Sequence, residues 1–229
     1  MMATTLTWLR EGFADTGSTT HPKEKYDVQL LFDQNVQWSN NTKREQPDLV
    51  HSLATTQTPK ILWIGCSDSR VAPELLTGSS IGDIFVYRNI ANVVTEGDIS
   101  FFAFLEYSLT ALAIEHVVVT GHVGCGGVAA ALKDKSPGRY LAPYLDTIKG
   151  IRDNNQAYFD GLGSDDEVNR RLVELNIIRS ARAVERSQVY RSAKQTNPQI
   201  QIHTWLYNIT DLVLSVVERD LPEYTQVTF

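Results

Sequence analysis

The chain has 229 residues, of which 42% are hydrophobic and 21% charged, and a formal net charge of −6. This is the composition of one ordinary soluble domain, too acidic overall to favour nucleic acid or an anionic membrane as a partner. It has no apolar run long enough to cross a bilayer, its first residues lack the zones of a secretory signal, and its two cysteines lie far apart, so a reducing, cytoplasmic setting is expected.

Residues 1–22 are expected to be a flexible N-terminal segment, because Gly, Ser, Thr and Asp crowd positions 11–22. From 23 to about 43, Val28, Leu31, Phe32 and Val36 recur at helical spacing. Pro47 can open a second helix reaching about 56. Together 23–56 make a helical arm that packs either on its own domain or on a neighbour, and 23–229 is read as a single domain. The run KILWIG at 60–65 predicts a strand covered on both faces. A short helix is expected at 73–77, then a second buried strand at 84–87 (IFVY), then an apolar-rich helix over 98–114 with Asp98 near its start. HVVVTG at 116–121 predicts a third strand and 126–133 a helix after it. Val168, Leu172, Leu175, Ile178 and Ala181 mark one stripe of a long helix at 165–191. Residues 200–207 alternate as a strand, and 212–217 can return beside it through 208–211.

Strands that alternate with helices predict an α/β domain whose central sheet is mainly parallel and flanked by helices. Sites in such sheets form beyond the carboxyl ends of the strands. Cys66, in CSDSR, follows KILWIG; His122 and Cys125, in HVGC, follow HVVVTG. If those two strands are neighbours, two thiolates and an imidazole converge. That is a three-ligand set for zinc, with a fourth position left for water or substrate. Zinc-bound hydroxide is a strong nucleophile near neutral pH. Asp68 stands two residues from a ligand and can accept a hydrogen bond from such a hydroxide, while Arg70 can hold Asp68 in a two-point ion pair. Asp68 can also swing onto the metal as a fourth ligand and shut the site. Gly124, Gly126 and Gly127 fit neither a dinucleotide fingerprint nor a P-loop; they let the backbone pass close to the metal.

CSDSR (66–70), GDIFVYRNIAN (82–92) and GHVGCGG (121–127), in this order, resemble the β-class carbonic anhydrases. The resemblance runs less specifically from about 23 to about 217. It implies one zinc per subunit on Cys66, His122 and Cys125, with Asp68 and Arg70 as the catalytic dyad. It implies reversible hydration of carbon dioxide to bicarbonate and a proton. It implies a homodimer embraced by the N-terminal helical arm, with homotetramers built from dimers. Gln57, Phe85 and Tyr107 match residues that line the substrate pocket, with Gly126 beside them. Trp63, Arg88 and Tyr207 are similar to three positions that hold a non-catalytic bicarbonate in an allosteric subgroup, where that anion favours the closed site. On core packing alone, Trp63 and Tyr207 are interior aromatics and Arg88 a structural cation.

Other readings stand beside this one. A carbon disulfide or carbonyl sulfide hydrolase can use the same scaffold, set apart by a long apolar tunnel. A bicarbonate sensor keeps the fold and the zinc without turnover. A structural zinc module needs a fourth ligand, and Asp68 is the only nearby candidate.

Overall fold

The computed structural model describes residues 27–133, 136–220 and 227–228. The expected flexible segment 1–22 and the first turn of the arm at 23–26 lie outside these. The chain divides between Ala54 and Thr55 into two units. In the first, helix α1 (Val28–Glu45) starts where the Asp27 carboxylate accepts the N–H of Gln29. Helix α2 (Pro47–Thr55) follows, with Pro47 at its first position.

The second unit is built on one sheet. Its strands are β1 (Ile61–Cys66), β2 (Ile84–Asn89), β3 (His116–His122), β4 (Gln201–Asn208) and β5 (Val213–Val216). They lie in the order β2-β1-β3-β4-β5. The first four are parallel and β5 returns antiparallel to β4, as the alternation of elements predicts. β1 and β3 are neighbours, with Gly65 opposite Thr120. Their carboxyl ends therefore bring Cys66 and His122 to one edge.

The helices between the strands are α3 (Pro73–Thr77), α4 (Ile99–Glu106), α5 (Gly126–Ala131), α6 (Leu141–Asn154), α7 (Gln156–Asp160), α8 (Asp165–Arg186) and α9 (Gln188–Thr196). The strand period of two splits β1 between two cores. Leu62, Ile64 and Cys66 join the main core with Val117, Val119 and α8, whereas Trp63 packs on the other face with Val71, Val118 and Tyr207. From Leu172 to Ile178 every residue of α8 is buried, which marks a helix enclosed on all sides rather than one with an apolar stripe.

Three expectations are corrected. β2 is a sheet edge, and only Ile84 in it is fully buried; its apolar residues pack on both faces, Phe85 and Tyr87 on the main core and Ile84 and Val86 on the second, but the edge leaves them half-covered. The helix expected at 98–114 is α-helical only to Glu106 and then widens into a π turn, Tyr107–Ala111. The Ser108 and Thr110 hydroxyls donate to the carbonyls of Phe104 and Glu106, and such back-bonding bends helices. The helix expected at 165–191 stops at Arg186. Ser187 turns extended, and its hydroxyl accepts the N–H of Tyr190 to start α9. The apolar period runs through this break, which is why spacing alone does not reveal it. Helices α6 and α7 are additions to the expected elements.

Gly121 sits where β3 meets α8: a β-carbon there would lie 2.9 Å from the side chains of Ile177 and Val173. Gly121→Ala is therefore expected to overpack this contact and cost about 1–3 kcal/mol. The check is a lower urea midpoint at fixed protein concentration with an unchanged slope.

Candidate metal centre

Cys66 ends β1, His122 ends β3, and Cys125 is the residue from which α5 starts. The turn between the last two is made possible by Gly124, whose φ of +67° is left-handed. All three side chains are buried. Their ligand atoms lie within 4.8 Å of one another, and the two sulfurs are 3.9 Å apart. Among the described residues this is the one group of three or more such side chains placed to hold a metal ion.

The imidazole is oriented for the task. His122 Nδ1 is 3.1 Å from the Val123 carbonyl. A carbonyl only accepts, so Nδ1 carries the proton and Nε2 is left with its lone pair. That Nε2 is buried and has no hydrogen-bond partner. A buried acceptor without a partner, facing two thiols, fits a divalent ion of borderline softness such as zinc.

The thiols are electrostatically unequal. The Cys125 thiol beside it holds Cys66 down to about 4 against the burial that raises it; His122 and the backbone N–H groups of Asp68 and Ala91 add to the lowering. The Asp68 N–H is 3.4 Å from the sulfur. Conversely the Cys66 sulfur, followed by burial, pushes Cys125 well above the thiol range, opposed by the N–H groups of Val128 and Gly127 in the first turn of α5. The pair thus keeps one proton.

Asp68 and Arg70 form the expected two-point pair: Nε to Oδ1 at 2.9 Å and Nη2 to Oδ2 at 2.7 Å. The Arg70 N–H adds a third bond to Oδ1 at 3.0 Å. The Arg70 side chain, more than any other group, holds the Asp68 carboxyl far below the usual carboxylate range. Asp68 Oδ2 lies 3.6 Å from His122 Nε2, too far for a hydrogen bond.

Gln57, Phe85 and Tyr107 meet one another. The Gln57 amide donates to the Tyr107 hydroxyl at 3.4 Å, and the Phe85 and Tyr107 rings are 6.0 Å apart. Gly126 opens α5 with no atom within 4 Å of where its β-carbon would be. Trp63 and Tyr207 share the second core. The Trp63 indole nitrogen fills the place of a Gly65 side chain, 2.3 Å from that β-carbon position, and has no hydrogen-bond partner. Arg88 donates to the carbonyls of Cys66 at 2.9 Å and Asp68 at 2.6 Å. It clasps the loop that carries the dyad. His116 and His203 pair with each other at 3.2 Å, at the start of β3, opposite to the end that carries His122; His21 lies outside the described residues.

Residues 89–92 belong to the GDIFVYRNIAN motif. In the structure Ala91 and Asn92 both take left-handed φ, +59° and +48°; for the alanine this costs about 1–2 kcal/mol, whereas asparagine tolerates it. Nothing in an alanine signals this.

The sequence model of a family described as carbonic anhydrase matches residues 61–213. A carbonic anhydrase of Emericella nidulans is 38% identical over 192 residues, 84% of this chain and 84% of its own length. One of Candida albicans is 36% identical over 169 residues, 73% of this chain and 59% of its own. The crystal structure of a β-carbonic anhydrase from Aspergillus fumigatus aligns with a TM-score of 0.81 at 37% identity, covering 86% of this chain and 93% of that one. A Sordaria macrospora β-carbonic anhydrase, described as tetrameric, aligns with a TM-score of 0.80 at 32% identity, covering 83% and 96%.

Because the metal-free thiol pair keeps one proton, zinc uptake near neutral pH is expected to release about one proton, not two. Calorimetry in buffers of different ionisation heat measures that number directly. Cys125→Ser is expected to weaken zinc retention by at least about tenfold, read by competition with a chelator.

Proposed function

Given that this chain belongs to the β-class carbonic anhydrases and is an enzyme of that class, we propose that it hydrates carbon dioxide reversibly to bicarbonate and a proton, with one zinc ion per subunit held by Cys66, His122 and Cys125. The observation that carries this is the unpartnered His122 Nε2, buried among two thiols, with the Asp68 carboxylate fixed 3.6 Å away. Bound zinc supplies a Lewis acid that brings the pKa of water to about 7.

The remaining work falls to the chain. Asp68 is a pure hydrogen-bond acceptor because Arg70 keeps it ionised. It accepts a hydrogen bond from the attacking oxygen and so turns a lone pair of that oxygen toward the substrate carbon. Arg70 fixes the carboxylate plane through two parallel bonds, which a lysine does not reproduce. Phe85 and Tyr107 offer an apolar wall suited to an uncharged gas. The Gln57 amide, next to the Tyr107 hydroxyl, can donate to an oxygen of the product. The released proton passes to buffer, since the His116–His203 pair sits at the far end of the sheet.

Self-association fits the first unit: Val28, Phe32 and Val36 of α1 are each more than half exposed. A dimer covers such an arm, and the tetrameric relative supports pairing of dimers. A reducing compartment, the cytoplasm, suits two free cysteines that serve as ligands. Among the described residues no helix is long and apolar enough to cross a membrane.

A second reading concerns regulation. The unpartnered Trp63 indole N–H and the guanidinium of Arg88 favour an anion, bicarbonate, near Trp63, Arg88 and Tyr207. Arg88 is already bonded to the carbonyls of Cys66 and Asp68. An anion that draws it away loosens the Asp68 loop and lets Asp68 leave Arg70 for the metal.

Stopped-flow measurement of carbon dioxide hydration between about pH 6.5 and 9 tests both. Rapid turnover is expected, with Asp68→Asn and Arg70→Ala each lowering kcat/KM by roughly 100-fold. No turnover by the zinc-loaded protein at any pH would overturn the assignment and favour the sensor or the sulfur-substrate hydrolase. Cooperative inhibition by added bicarbonate is expected from the second reading; simple hyperbolic kinetics would exclude it.

A further inference from the structure

Helix α8 is enclosed along its middle, where it buries Asn176 and Ser180, both 0% exposed. A buried polar group is tolerated only when it makes bonds that repay its loss of water. These two are four residues apart and so lie on one face of the helix. Both bond to the same short segment. The Asn176 amide donates to the Ala91 carbonyl at 2.8 Å, and the Ser180 hydroxyl donates to the Asn92 carbonyl at 3.0 Å. The Val94 N–H donates back to the Ser180 oxygen at 3.4 Å, and Arg179 donates to the Val94 carbonyl at 2.9 Å. A face of α8 thus grips the left-handed residues Ala91 and Asn92 by their carbonyls.

The opposite side of that segment faces the candidate metal centre. The Asn89 carbonyl accepts the N–H of Ser67, the residue after Cys66, at 2.8 Å. Ala91 and Cys66 are buried in the same core cluster. On the other flank the segment rests on the loop of the second thiolate: a β-carbon on Gly127 would lie 2.9 Å from Ile90 and 3.0 Å from the Ala91 side chain. Gly127 is two residues past Cys125. The segment 89–94 is therefore wedged between α8 and both sulfur-bearing turns. Its conformation is one that alanine does not adopt unaided.

We propose that Asn176 and Ser180 are positioning residues for the metal-binding thiolates, acting through the left-handed segment that they hold against Cys66 and the Gly127 turn. They touch neither metal nor substrate. Their role is to hold the Asn89 carbonyl on the residue that follows Cys66 and the Ala91 side chain against Gly127, which sets the geometry of the sulfur pair. This rests on the reading of Cys66, His122 and Cys125 as the metal site.

The test uses the full chain loaded with cobalt(II), whose thiolate-to-metal charge-transfer band reports the sulfurs directly. Three variants are compared: Asn176→Ala, Ser180→Ala and, as a core truncation one turn beyond Ser180 that removes no bond to the segment, Val184→Ala. A thiolate whose position changes overlaps differently with the metal, so the band is expected to shift in the first two and to stay in place in the third. Release of cobalt to dipicolinate is expected to quicken by about tenfold in the first two only. If Asn176→Ala does not fold, Ser180→Ala, which removes a single oxygen, decides alone. An unchanged band and release rate in the variants that fold, or the same changes in Val184→Ala, would overturn the inference while leaving the metal site intact. A wild-type protein that develops no thiolate band with cobalt would instead overturn the metal site, and this inference with it.

Discussion

The main electrostatic burden in this molecule is the burial of two sulfurs 3.9 Å apart at the carboxyl edge of the sheet. Two thiolates this close repel each other, and the interior screens them poorly. Without a cation the pair retains a proton, low on Cys66 and high on Cys125. With a divalent ion both charges are answered at once. Much of the surrounding architecture follows from keeping that arrangement in place. The backbone N–H groups of Asp68 and Ala91 act on one sulfur, and those of the first turn of α5 act on the other. The imidazole tautomer is set by one carbonyl.

The same edge places a carboxylate beside this centre without letting it collapse onto it. Arg70 occupies both oxygens of Asp68, and Arg88 ties down the backbone on either side of Ser67. One arginine thus fixes the side chain and the other fixes the loop that carries it. Arg70 is more than half exposed whereas Asp68 is not. The partner with room to move is therefore the one in contact with solvent.

Strain enters at Ala91 and Asn92. Left-handed residues without a reason are removed by the chain's own flexibility; here Asn176 and Ser180 supply the reason from a helix more than eighty residues away in sequence. Such a segment cannot be relaxed without giving up bonds in the core. A stiff wall beside the candidate metal ligands is the consequence, at the expense of two polar side chains, Asn176 and Ser180, in the buried middle of α8.

Much of this was written plainly in the sequence. Strand runs of four to seven apolar residues, their alternation with helices, and the placing of Cys66, His122 and Cys125 after two of them are local properties, because side-chain period and turn chemistry act over a few residues. Local reading also finds Asp68 with Arg70, since two residues of separation bring a carboxylate and a guanidinium together. It fails where the outcome depends on distant partners. The widening at Tyr107, the break at Ser187, the half-burial of β2 at the sheet edge and the left-handed Ala91 carry no local mark. Residue type and spacing specify a candidate donor set, the Asp68–Arg70 pair and the class of fold. Folding alone settles that β1 and β3 are neighbours, that the imidazole turns Nε2 inward, and that α8 reaches across to the segment beside the two thiols. Those outcomes rest on strand order and on contacts between residues far apart in the chain, whose free energy exists only once the core has closed.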